Sequence, residues 1–162
     1  MDARLNFPEV APGALKTMLD IEGYLSKCGL ERSLLHLIKM RTSQINGCAY
    51  CLDMHSKDAR AEGETEQRLY ALDAWRETPF YSARERAALA WTEALTQISD
   101  THAPDETYQE ALAQFSEKDL ADLTLAIVAT NGWNRAAIGF RAPPGTYQPP
   151  ARSRQAKVAA PV

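Results

Sequence analysis

Residues 31–60 read ERSLLHLIKMRTSQINGCAYCLDMHSKDAR, and the hydrophobic spacing in this stretch decides the fold class. Leu34, Leu37, Ile38 and Ile45 recur at helical intervals, which predicts a helix with one apolar stripe. Gly47 ends it, because glycine accepts the left-handed backbone that closes a helix. A second helix is expected from about Cys48 to Glu62, with Gly63 as its stop. On that helix Cys48, Cys51 and His55 fall within an arc of roughly 60°, and Cys51 and His55 are neighbours one turn apart.

The rest of the chain repeats this pattern. Pro12 at a helix start opens a segment to about Lys27, closed by Gly29. Thr65 to Glu77 form a further helix ending before Pro79. Ser82 and Glu85 form a capping box at the head of SARERAALAWTEALTQISD. PDETYQEALAQF is a shorter amphipathic helix, and Ser116 caps EKDLADLTLAIVATNGWNRAAIGFR, the longest and most apolar segment. Nothing alternates as a strand would. The expectation is an all-α domain of six to seven helices over residues 1–142. Residues 143–162, with Pro143, Pro144, Pro149 and Pro150, read as a Pro-rich tail, extended or disordered.

Composition narrows the function classes. The 162 residues carry a formal net charge of −3, with 45% hydrophobic and 24% charged residues. That balance disfavours nucleic acid or an anionic membrane surface as partner. No apolar run reaches the roughly 18 residues of a membrane span, and the N-terminus has no apolar signal region. A cytoplasmic location is the default expectation. Three cysteines are too few and too unevenly spaced for a secreted disulfide framework.

A close cysteine pair in a reducing compartment points instead to redox chemistry or a metal. Gly47 puts both cysteines at the start of the new helix, where free amides and the helix dipole favour a thiolate. A nearby imidazole can take the thiol proton. A thiolate that attacks a peroxide becomes a sulfenic acid, and a thiol three residues away closes the disulfide. The alternatives are a zinc clip, with Cys28, His36 or His102 as fourth ligand, and a chance pair of small buried residues. Three ligands within one short helix make a poor tetrahedron, and no second CxxC or HxxxH completes it.

SQINGCAYCLDMHSKDAR, preceded by LLHLIKMR, resembles the alkylhydroperoxidase D-like branch of the carboxymuconolactone decarboxylase family. RERAALAWTEALT and FSEKDLADLTLAIVATNGWNRAAIGFR resemble the segments that follow, so the likeness spans about residues 10–142. It implies an all-α fold assembling as trimers or hexamers, and a thiol-dependent peroxidase that reduces hydroperoxides without a cofactor or metal. The electrons would come from a dithiol reductant, such as a lipoyl protein or a thioredoxin-like protein. The resemblance makes Cys51 the peroxidatic thiol, Cys48 the resolving thiol and His55 the proton-relay residue. The relay usually begins at a glutamate twelve residues before the first cysteine. Here that position is His36, which can shuttle protons but supplies no fixed negative charge. Tyr50 stands where some members have a histidine. A general thiol–disulfide oxidoreductase is the alternative within redox chemistry. The decarboxylating branch lacks the CxxC, which argues against it here.

Several residues stand outside this frame. From periodicity alone, His36 points away from the apolar stripe and reads as a solvent or subunit-contact residue. Arg41 sits inside the stripe and is expected to have a carboxylate or several carbonyl partners, a structural pair first and an anion contact second. Asp58 and Glu62 read as a solvated face, with orientation of His55 as the alternative. Asn131 and Asn134 share the stripe of the last helix and should be buried and hydrogen-bonded. Gly132 suggests close helix packing, with Trp133, Asn134 and Arg135 lining the redox pocket as the second reading. His102 is expected to be exposed and Cys28 a buried spectator.

Overall fold

Among the described residues, the three most extensive helix–helix contacts all involve the helix of residues 32–46. The computed structural model describes residues 2–150, and over these it contains nine α-helices, one 3-10 segment and no strand. In order they are α1 (Phe7–Val10), α2 (Pro12–Leu25), α3 (Arg32–Asn46), α4 (Ala49–Ala61), α5 (Glu66–Ala71), the 3-10 turn Leu72–Glu77, α6 (Ala83–Thr96), α7 (Ile98–Thr101), α8 (Asp105–Leu112) and α9 (Glu117–Phe140). The count exceeds the expected six to seven for local reasons. Asn6–Pro8 starts a single extra turn. The segment 65–77 leaves α-geometry at Leu72 and kinks at Ala74, where φ is −107° and ψ 29°. The segment 82–100 breaks at Gln97.

The predicted signals operate at the ends. Ser82 and Glu85 make the reciprocal capping box, and Ser116 accepts from the Asp119 amide. Gly47 takes φ 67° in the left-handed region, so α3 stops and α4 departs in a new direction.

α3 packs against α4, α6 and α9. Its two apolar faces feed two clusters. Leu34 and Ile38 join Leu25, Trp91, Leu123 and Ile127, whereas Leu37 and Met40 join Leu69, Leu72, Trp75 and Leu89. Each fully buried side chain of this size contributes about 1.5–3 kcal/mol, which makes α3 the anchor of the fold. Arg41, between these faces, is paired as expected. Its Nε donates to Glu93 Oε1 at 2.8 Å, and its Nη1 donates to both Asp73 and Gln44.

A polar knot fixes the corner between α3 and α4. Asn46 Nδ2 donates to Asn131 Oδ1 at 3.0 Å and to Asn134 Oδ1 at 2.9 Å. Asn134 in turn donates to Ser43 Oγ at 3.1 Å, and Asn131 to Thr96 Oγ1 at 3.2 Å. Both asparagines of α9 are therefore satisfied by α3 and α6, and Asn134 is fully buried. Gly132 lies against α2: a β-carbon there would meet Met18 Cε at 3.1 Å.

Past α9 the chain turns back over α4. The Gly145 amide donates to Asp53 Oδ2 at 2.9 Å, Lys57 Nζ to the Tyr147 carbonyl at 3.0 Å, and the Tyr147 hydroxyl to Asp58 Oδ1 at 2.7 Å. Residues 151–162, the greater part of the expected tail, lie outside the described residues.

Candidate active site

The corner described above delivers Cys48 to the head of α4. Its amide donates to the Ser43 carbonyl at 3.0 Å, and its sulfur accepts from the Cys51 amide at 3.3 Å. Cys48 is thus the N-cap residue, and only Cys51 lies inside the first turn. The two sulfurs are joined as a disulfide, with Cα atoms 5.3 Å apart. Both residues are almost fully buried.

The cysteines differ in what they face. Cys51 lines a cavity of about 760 Å³, and Cys48 does not. His55 lines it one turn further along α4, and His36 and Lys39 do so from α3. Glu22 of α2 and Trp133 of α9 close that end: Glu22 binds Lys39 Nζ at 2.7 Å and accepts the Trp133 indole N–H at 3.1 Å. The rest of the wall is mainly apolar, with Leu5, Leu15, Leu19 and Ala137, and includes Asn6 and Asp58. Near the mouth Phe7 stacks on Phe140 with ring centroids 5.6 Å apart, and the Arg4 amide donates to the Phe140 carbonyl at 2.9 Å.

The electrostatics at this end are specific. Burial, reinforced by the positive charge of Lys39 and by His36, pushes the His55 imidazole down to about 3. At neutral pH His55 is therefore neutral in this disulfide-bonded form. Glu62 is held below its ordinary range: burial opposes its charge, but Arg32 and His36 outweigh that cost. Tyr147 is pushed up to about 12 by burial and by Asp58.

The structure thus brings together Cys48, Cys51, His55 and His36, the four residues singled out in the sequence. His36 is not a surface residue; 13% of its side chain is exposed and Glu62 lies 3.1 Å from its Nε2. Glu62 and Asp58 do not form a freely solvated face, since Arg32 and Tyr147 respectively hold them. Trp133 does line the cavity, but Asn134 is spent on the α3–α9 knot, and exposed Arg135 donates to Asn131. Cys28 is free and only partly buried, and His102 is exposed with φ 52°. Among the described residues, no group of three or more His, Cys, Asp or Glu is placed to hold a metal ion. No helix among them is long and apolar enough to cross a membrane.

Glu22 and Lys39 went unnoticed in the sequence. The spacing of Lys39 three residues after His36 was a usable signal, since it puts both on one face of α3. Nothing local predicts that Glu22, on another helix, would meet it.

This helical architecture, with a cysteine pair at the head of α4, is that of the alkylhydroperoxidase D-like proteins. Residues 12–94 match the model of the carboxymuconolactone decarboxylase family, and the chain belongs to that family. It is 46% identical over 140 residues to the uncharacterized protein YdfG of Bacillus subtilis (strain 168), covering 86% of this chain and 95% of that one. The structure of ATU0492 from Agrobacterium tumefaciens superposes with a TM-score of 0.87 at 42% identity, over 90% of this chain and all of that one. ATU0492 is a protein of unknown function that has been proposed as an antioxidant defence protein, AhpD. An alkylhydroperoxidase AhpD core protein from Ralstonia eutropha JMP134, uncharacterized and peroxidase-related, shares the fold with a TM-score of 0.74 at 18% identity, over 84% of this chain and 73% of that one.

Proposed function

We propose that the protein is a thiol-dependent peroxidase that reduces hydroperoxides through a Cys51–Cys48 cycle. The observation that carries this reading is the asymmetry of the pair: Cys51 opens on the cavity one helical turn from His55, and Cys48 does not line it. In the reduced protein Cys51 passes its proton to His55, and the thiolate attacks the terminal peroxide oxygen. The O–O bond breaks, the alcohol leaves with the proton from His55, and Cys51 becomes a sulfenic acid. The Cys48 sulfur then displaces hydroxide from Cys51, which departs as water with the Cys48 proton. The sum is two thiols and one hydroperoxide giving one disulfide, one alcohol and one water. His36 serves as a second proton station on the cavity wall.

An external dithiol restores the thiols by exchange, and a lipoyl or thioredoxin-like protein fits that role. Assembly as a trimer or hexamer belongs to the same reading. The test is steady-state consumption of an organic hydroperoxide with a dithiol reductant. Cys51→Ser abolishes turnover, and Cys48→Ser stops after one oxidation. Full turnover by Cys51→Ser overturns the proposal.

A further inference from the structure

His36 is an anomaly within the site. Neither of its ring nitrogens is reached by solvent, and neither has an aligned hydrogen-bond partner among the described residues. A buried polar atom left so costs about 1–3 kcal/mol, so a ring retained in this state needs a reason. Its close polar neighbour among the described residues is Glu62 Oε2, 3.1 Å from Nε2.

Glu62 is itself held in place. It is the C-cap residue of α4, and its Oε2 accepts from Arg32 Nε at 2.8 Å while Oε1 meets the other arm of the same guanidinium. Arg32 and His36 are one turn apart on α3, so the two reach the end of α4 from the same face. His55 lies on α4 two turns before Glu62. From the cavity outward the side chains grow more exposed: His36 is 13% exposed, Glu62 28% and Arg32 74%. These groups form a polar seam between α3 and α4 that leads from the reactive end of the cavity to the surface.

We propose that Glu62, clamped by Arg32, is a positioning residue for the thiol site: it aims the His36 ring and links the His55–Cys51 pair to bulk solvent. This rests on the reading of Cys51 as the reactive thiol. The titratable and charged groups around His36 are Arg32 and Lys39 on α3, His55, Asp58 and Glu62 on α4, and Glu22 on α2. Of the carboxylates, Glu22 is engaged by Lys39 and Trp133, and Asp58 by Tyr147. Glu62 is the one in contact with His36.

The experiment is the rate of iodoacetamide alkylation of Cys51 in the fully reduced protein, followed by mass spectrometry from pH 5 to 9. It compares the natural protein with Glu62→Gln, Glu62→Asp, His36→Gln and the Glu62→Gln/His36→Gln double variant. The expected result is a slowing of about tenfold at neutral pH with a displaced pH profile in Glu62→Gln, below the 10²–10⁴-fold of removing an acid–base group itself. Glu62→Asp recovers most of the rate, and the double variant is no slower than His36→Gln alone. A Glu62→Gln profile that superimposes on the natural one, or strictly multiplicative losses in the double variant, overturns the inference. Hydroperoxide oxidation of the same proteins separates the two readings. If the natural protein ignores hydroperoxide while the alkylation profile still moves, the peroxidase reading fails and the positioning role stands. If hydroperoxide oxidises natural and Glu62→Gln protein with the same pH profile, the positioning role alone fails.

Discussion

Arg41 and Glu93 meet at 2.8 Å between α3 and α6, where each side chain is less than 15% exposed. The same Glu93 oxygen accepts the Trp75 indole N–H at 2.8 Å, and Arg76 binds its partner oxygen. One carboxylate therefore ties α3, α6 and the 3-10 turn. Removing its charge leaves Arg41 largely buried and short of a partner. Glu93→Gln is expected to cost roughly 3 kcal/mol, read from the urea midpoint; a loss under about 0.5 kcal/mol would refute this role. Burial resists ionisation of Glu93, but Trp75, Arg76 and Arg41 prevail and hold it below its ordinary range. A depressed carboxylate contributes stability above its unfolded value of about 4.5 and loses it as pH falls through the lower folded one. The Glu93 share of the acid destabilisation should therefore begin below about pH 4.5 and be absent in Glu93→Gln.

His55 produces the opposite kind of acid sensitivity, because it is buried in its neutral form. Its imidazole falls from 6.5 to about 3 on folding. Between those values the unfolded chain binds a proton that the folded chain refuses, so stability declines as pH drops from 6.5 toward 3. The slope approaches about 1.4 kcal/mol per pH unit. In the oxidised protein, His55→Gln should remove this part of the melting temperature's pH dependence. A wild-type curve that is flat between pH 6.5 and 4.5 would contradict the assignment.

Lys39 is one of the charges that keep His55 neutral. Lys39→Met should raise the His55 imidazole without restoring it to 6.5, since burial is the larger cause. The imidazole proton shift in an NMR titration reads this directly, and a downward movement would refute the charge argument.

The knot at the α3–α4 corner should be as costly to cut as Glu93. Asn134→Ala takes the donor from buried Ser43 Oγ and one of the two acceptors from partly buried Asn46 Nδ2. A loss of about 2–3 kcal/mol is expected, measured by denaturation. Because Cys48 hangs from Ser43, the thiols of this variant should also react less uniformly. Unchanged stability would show that water or repacking replaces the amide.

The parts of this account that were legible in the sequence are those carried by local rules. The stripe Leu34–Leu37–Ile38, the Ser82–Glu85 box and Gly47 each act within a turn or two, and each behaves as its residue type dictates. Arg41 signalled the need for a partner, because a buried guanidinium requires a carboxylate or several carbonyls, and the structure supplies Glu93 and Asp73. Single-turn helices such as Phe7–Val10 are too short to leave a periodicity. The cavity wall was hidden for a different reason. Glu22, Lys39 and Trp133 come from three helices, and their meeting depends on how α2 and α9 pack over α3, which no local spacing encodes. Glu62 reads from spacing as a solvated acid, with orientation of His55 as the alternative, and the structure places it against Arg32 and His36.

The central claim is that Cys48 and Cys51 form a two-electron couple driven by hydroperoxide. The most direct measurement is the thiol titre of fully reduced protein before and after one equivalent of an organic hydroperoxide, with the product located by mass spectrometry. The account predicts the rapid loss of two thiols per chain, mapped to a Cys48–Cys51 disulfide, with Cys28 still free. Thiols that persist through the addition, or oxidation confined to Cys28, would contradict it.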